Sequence, residues 1–298
     1  MFVLYGGVIV AVNIREINHS LPIHYSQNYL TCNGLIDRLL QQSSIGSNDE
    51  VLDIGAGKGI ITKALLNLGC RVIAVELDQK NILHLKKRFE NEKKCTLIFG
   101  DFLELPLPEG NYKMFSNIPF FITSDVLNKI TQAKNPPTDT YLILQKQAAM
   151  KYCGAMKTTL KSLLLKPIFN MRIVHQFSRN DFSPRPKVDI VLLRIQKRNI
   201  DELTIREFEV YRDFICYCYK NNKTFPKRIF TYRQLKELGK RHGITNYRTS
   251  EIGYKEWIIL FRCFLQYVSD EKKSQVMGSY SQYLLQESLL KKQFRSRD

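Results

Sequence analysis

Ser116-Asn117-Ile118-Pro119-Phe120 is the stretch of the chain best suited to chemistry. An exocyclic aromatic amine is a weak nucleophile, because its lone pair is delocalised into the ring. The Asn117 side-chain oxygen and the Ile118 backbone carbonyl, held by Pro119, can accept both amine hydrogens. Two such acceptors draw the nitrogen toward tetrahedral geometry and aim its lone pair at an electrophile. A sulfonium methyl is electrophilic enough for positioning and electrostatics to suffice without a general base. Phe120 offers a face on which an unstacked base can rest. The plainer alternative is a strand-to-turn Asn-x-Pro followed by a core phenylalanine.

The residues upstream weigh against that alternative. Asp53-Ile-Gly55-Ala-Gly57-Lys-Gly59 places a glycine-rich turn between a buried run and a helix. Such a turn lets backbone approach a ligand and aims a helix N-terminus at it. Its third glycine comes four residues after the first, not five, so the dinucleotide fingerprint is not met. Glu76 ends the next apolar run and suits a pair of ribose hydroxyls. Asp101, in Gly100-Asp101-Phe102, suits the exocyclic amine of an adenine, and Asn117 ends the run after that. Asp53 or Asp101 alone would pass for a helix cap. Polar groups at four successive strand ends are where an open α/β sheet binds its ligand. A nucleoside with an amino-acid tail and no pyrophosphate fits this set, and S-adenosylmethionine is such a ligand.

The elements that position these residues follow from hydrophobic patterning. Strands are expected at 50–54, 70–76, 95–99, 112–116 and 140–145, and helices at 33–42, 60–68, 81–89 and 125–130. The run Val72-Ile73-Ala74-Val75 is typical of a parallel strand covered on both faces. Segments 171–177 and 188–195 complete the sheet as an antiparallel edge pair. The fold expected is α/β, a Rossmann-like, mostly parallel sheet, with a small all-α domain after a boundary near residue 198.

Charge is distributed unevenly. The chain carries 45 Lys and Arg against 28 Asp and Glu, a net +17. Residues 1–150 hold only +1 of this, residues 151–199 hold +9 and residues 200–298 hold +7. A polycationic back half is the signature of a polyanionic partner. Lys151, Lys157, Lys161, Lys166, Arg172, Arg179, Arg185 and Lys187 are the candidate contacts, with Lys157 and Lys161 spaced to share a helix face. Seven cysteines without a CxxC pair and five scattered histidines predict no metal site and reduced thiols in a cytoplasm. The apolar opening, Phe2 to Val12, is too short to span a bilayer and has no basic residue before it. Residues 1–20 read as a loose extension or a spurious upstream start.

From Ser26-Gln27-Asn28-Tyr29-Leu30 to about Val268 the chain resembles the Erm family of rRNA adenine N6-methyltransferases. More distantly it resembles the KsgA-type dimethyladenosine transferases. Val51 to Gly59, Glu76, Gly100-Asp101-Phe102, Ser116 to Phe120 with Ile122 to Asp125, and Phe182-Ser-Pro-Arg-Pro-Lys-Val188 carry the resemblance. Asn-Ile-Pro-Phe is similar to the Erm branch, and the details are most similar to Bacteroidetes Erm proteins. Gln145-Lys146-Gln147 is similar to the KsgA branch, and Tyr29 stands where Phe is common. The resemblance implies a class I methyltransferase domain over 21–198 and a helical RNA-binding domain over 199–268, and a charged tail over 269–298 departs from it by running beyond the family's usual end. It implies cofactor contacts at Asn28, Leu30, Gly55, Glu76, Asp101 and Asn117, and base stacking by Phe120 and Phe182. The implied substrate is an adenine of 23S rRNA near the peptidyl-transferase centre, naked or in an assembling subunit. The implied enzyme is a monomer without membrane or metal partner, and it confers macrolide-lincosamide-streptogramin B resistance. The alternative is a 16S rRNA dimethyltransferase.

Overall fold

The apolar runs of the front half become strands, and the amphipathic segments between them become helices. A computed structural model describes residues 2–5, 8–11, 28–154, 157–198, 202–222 and 224–295. In chain order these form β1 (Phe2–Tyr5), β2 (Val8–Ala11), β3 (Tyr29–Leu30), α1 (Asn33–Gln41), β4 (Glu50–Ile54), α2 (Ile60–Asn67), β5 (Arg71–Glu76), α3 (Gln79–Arg88), β6 (Cys95–Phe99) and β7 (Lys113–Asn117). After a 3-10 turn at Phe120–Ile122 come α4 (Thr123–Gln132), β8 (Asp139–Gln145), α5 (Lys146–Cys153), α6 (Leu160–Leu165), β9 (Phe169–Gln176), β10 (Phe182–Ser183) and β11 (Ile190–Lys197).

Among the described residues nine strands make one sheet in the order β1-β2-β6-β5-β4-β7-β8-β11-β9. The five central strands are parallel, and β11 runs antiparallel to β8. The expected Rossmann-like class I architecture, with its antiparallel edge, is what the chain forms. Val51, Val72, Ala74, Met114, Phe115, Leu142 and Ile143 are almost wholly buried. Each large aliphatic or aromatic side chain among them stabilises the sheet by ~1.5–3 kcal/mol. A part-buried ion pair fastens the antiparallel edge. Arg194 Nη2 lies 2.5 Å from Asp139 Oδ2, and Arg194 Nε donates to Asp139 Oδ1 at 3.1 Å.

The structure departs from the expectation at the front of the chain. Phe2–Tyr5 and Val8–Ala11, read as loose extension, pair antiparallel, and Ile9–Val10 add in parallel to Ile98–Phe99. A β-branched run beside the unpaired edge of β6 has a ladder of backbone partners waiting for it.

The chain divides into two units, one of Met1–Met150 with Asn170–Lys197 and the other of Lys151–Phe169 with Arg198–Asp298. The second unit thus takes in 151–169, which the sequence reading places inside the sheet domain. It holds α7 (Ile205–Lys220), α8 (Phe225–Ile229), α9 (Tyr232–His242), α10 (Tyr254–Tyr267), α11 (Asp270–Val276) and α12 (Ser279–Arg295). Its core is aromatic: Phe214 and Phe264 pack with ring centroids 4.9 Å apart, and Phe225 stacks on Trp257 at 5.6 Å. The expected charged tail is largely helix. The Tyr280 N–H at the start of α12 donates to Asp213 Oδ1 at 2.8 Å, and the Arg212 guanidinium covers the Tyr280 ring at 4.5 Å. Lys161 lies in α6, forms an ion pair with Glu287 at 3.4 Å and is mostly covered. Lys157 precedes α6, so the two lysines do not share a helix face as their spacing suggested.

Candidate active site

The C-terminal ends of β4, β5, β6 and β7 open onto one cleft in the sheet unit. Its lining includes Asn28, Gly55, Glu76, Asp101, Asn117, Ile118, Pro119 and Phe120. It takes in about 930 Å³, counting the open solvent at its mouth.

The glycine turn is built for close approach. Gly57 has φ +56°, and a Cβ there would come within 3.1 Å of the Tyr29 ring. Gly59 caps the start of α2 with φ +77°, and a Cβ there would lie 2.7 Å from Leu85. Only glycine meets both demands without strain. The Gly57 N–H donates to Glu76 Oε2 at 2.7 Å. Glu76 Oε1 accepts from the N–H groups of Leu77 and Asp78 at 2.9 and 2.8 Å. Burial pushes the Glu76 carboxyl above its ordinary range, and these backbone donors work against that rise. Oε1 already accepts two donors, whereas Oε2, with one, keeps a lone pair for a further donor.

Asp53 lies behind the cleft lining. Its Oδ2 accepts from the Thr62 hydroxyl at 2.7 Å, tying β4 to α2. Burial pushes its carboxyl up to about 7; the Thr62 hydrogen bond opposes the rise and the Glu76 charge adds to it. Asp101 is exposed, and its Oδ1 caps the Leu103 N–H at 2.8 Å.

At the end of β7, Asn117 Nδ2 donates to the Asn28 carbonyl at 2.8 Å. A carbonyl can only accept, so this contact fixes the amide orientation and leaves Oδ1 as the remaining acceptor. The buried Ser116 holds the neighbouring strand, accepting from the Ile54 N–H at 2.8 Å. Phe120 is partly buried against the core of the sheet unit.

Two expected contacts fall outside the cleft. Leu30 is 5% exposed and is not among the lining residues. It pairs with Phe182 in the short β3–β10 ladder. Phe182 is 3% exposed and packs edge-on against Phe177 at 5.5 Å. Stacking a base would require that ring to leave the core, so in this structure Phe182 is a packing residue. Conversely, Tyr29, Leu77, Phe102 and Phe121 line the cleft although the sequence reading assigned them no contact there. Their positions beside motif residues were the available signal.

Among the described residues no lysine or arginine lines the cleft, whereas two carboxylates and several aromatic rings do. That composition favours a cation over a pyrophosphate. Residues 18–250 match the family described as ribosomal RNA adenine dimethylase. The chain belongs to that family. It is accordingly a ribosomal RNA adenine methyltransferase, with S-adenosylmethionine as methyl donor. An rRNA adenine N-6-methyltransferase of Bacillus licheniformis is 28% identical over 87% of this chain and 92% of its own length. One from Bacteroides fragilis is 29% identical over 83% and 94%. The small-subunit methyltransferase A of Mycoplasmopsis pulmonis is 26% identical over 80% and 96%. Among solved structures, the 23S rRNA methyltransferase ErmE superposes with a TM-score of 0.74 at 21% identity. It covers 80% of this chain and 100% of that one. The expected Erm-type membership is met, and the family match takes in every residue of the cleft. Among the described residues no helix is long and apolar enough to cross a membrane.

Proposed function

We propose that this family member methylates the N6 of an adenine in 23S rRNA near the peptidyl-transferase centre and so confers macrolide-lincosamide-streptogramin B resistance. The observation that carries the reading is the fixed Asn117 amide beside Pro119 and Phe120 at the cleft. S-adenosylmethionine suits the residues present: a glycine turn without side chains, a buried anchored Glu76, an exposed Asp101 and, among the described residues, no lining cation. When bound it supplies an electrophilic methyl group.

The chain's own residues do the rest. Glu76 Oε2 accepts a ribose hydroxyl, Asp101 accepts from the cofactor's adenine, and Gly55 with Asn28 borders the amino-acid end. Asn117 Oδ1 and the Ile118 carbonyl accept the target amine hydrogens, and Phe120 carries the flipped base. Exposed Arg172, Arg185 and Lys187 in the sheet unit, with basic residues of the helical unit, contact phosphates. We assign the helical unit to RNA binding, and the enzyme to the cytoplasm as a monomer on naked or assembling 23S RNA.

An N6-methyl group replaces a hydrogen-bond donor with bulk where these drugs sit, so resistance follows from a lost bond and a new clash. Expression in a susceptible bacterium should raise resistance to all three drug classes together, and Asn117→Ala should abolish it. The small-subunit relative supports a second reading, methylation of 16S rRNA. Methyl transfer to 16S RNA with unchanged erythromycin sensitivity would overturn the 23S assignment.

A further inference from the structure

We propose that Phe121 forms a second base-stacking subsite at the cleft mouth, taking the nucleobase next to the target adenine. This rests on the reading above that the cleft receives an RNA adenine. Of the phenylalanines whose side chains are described, Phe121 alone is exposed, at 61%. It lines the same cleft as Phe120. The two rings are consecutive, yet they meet different surroundings, because Phe120 packs against the core and Phe121 meets solvent. The 3-10 turn at Phe120–Ile122 explains the split, since successive residues in such a turn point about 120° apart.

The backbone under Phe121 is already fixed. Pro119 locks the entry to the turn, the Ile122 N–H donates to the Pro119 carbonyl at 3.2 Å, and α4 begins at Thr123. Little ordering entropy is therefore spent when a partner covers the ring. Extruding a base also leaves its neighbour without one of its stacking partners. An exposed phenyl ring beside the pocket replaces that partner and removes its own apolar surface from water. Stacking of this kind tolerates any base, so the subsite holds the strand in place while leaving its sequence unread.

The test uses the full-length protein and a stem-loop RNA with one unpaired target adenine. In one arm 2-aminopurine stands on its 5′ side, in another on its 3′ side. Phe121→Ala should raise the RNA KM roughly 5- to 150-fold, the range that loss of one base stack implies. Turnover at saturating RNA should fall far less than kcat/KM, and an unchanged thermal unfolding midpoint reports correct folding. Phe121→Trp should restore KM and Phe121→Leu should not. Wild type and Phe121→Trp should quench the 2-aminopurine in one arm, and the Ala and Leu variants should leave it bright. An unaffected Phe121→Ala, or a Leu variant with wild-type KM and quenching, overturns the subsite while the RNA reading stands. Wild-type protein that methylates no RNA overturns the reading of the cleft and the subsite with it.

Discussion

The Asn117 side-chain nitrogen and the Asn28 carbonyl, 89 residues apart in sequence, meet at 2.8 Å across the floor of the cleft. This bond decides which end of the amide is free to act as an acceptor. Asn117→Ala should lower single-turnover methyl transfer at saturating RNA by roughly a hundredfold, the usual cost of losing one oriented polar group. Asn117→Asp should be at least as damaging, because a carboxylate oxygen would face the Asn28 carbonyl where a donor now stands. A fully active Asp variant would show that the amide orientation is immaterial.

Glu76 has two tasks, since its oxygens anchor three backbone N–H groups as well as facing the cleft. Glu76→Gln, which retains one acceptor oxygen, should weaken S-adenosylmethionine binding less than Glu76→Ala. The alanine variant also strands the turn donors, each worth ~1–3 kcal/mol when left unpaired. Calorimetric titration with S-adenosylmethionine measures both, while RNA affinity should barely change. Equal losses of cofactor and RNA affinity would point to general misfolding instead.

The buried Asp53 carboxyl gives stability a pH dependence of known sign. Its folded-state value is raised to about 7 by burial, so between about pH 4 and pH 7 the folded chain holds a proton that the unfolded chain has lost. Stability from this group is present at the acid end and falls as pH rises through that window, by at most ~1.4 kcal/mol per pH unit. Asp53→Asn removes the titration. Urea midpoints measured from pH 5 to 7 should therefore fall more steeply for the wild type than for the variant. Parallel curves would mean that Asp53 is already ionised in the folded protein.

The Arg194–Asp139 pair sits at the seam between β8 and β11, with Asp139 3% exposed. Arg194→Met should destabilise the sheet unit by about 3–5 kcal/mol, because it leaves an uncompensated buried carboxylate. Changing both partners together, Arg194→Met with Asp139→Asn, should recover part of that loss. A double variant no more stable than the single one would show that packing, rather than the stranded charge, sets the effect.

Much of the fold and the core of the site were legible in the chain itself. Runs such as Val72–Val75 and the glycines at 55, 57 and 59 dictate strand, turn and helix locally. Strand ends in an open α/β sheet converge by topology, so Glu76, Asp101 and Asn117 were placed at one cleft before any coordinate. Periodicity tells which face of an element is apolar, and not which partner covers it. That left undecided the burial of Phe182 and Leu30, the exposure of Phe121, the pairing of β1 and β2, and the helices of the tail. It also left residues 151–169, whose lysines had been read as candidate phosphate contacts, to be claimed by the helical unit. The bond from Asn117 to Asn28 joins residues whose separation no local pattern records. Only the closed tertiary structure, where burial and hydrogen-bond satisfaction are settled between distant segments, could set it.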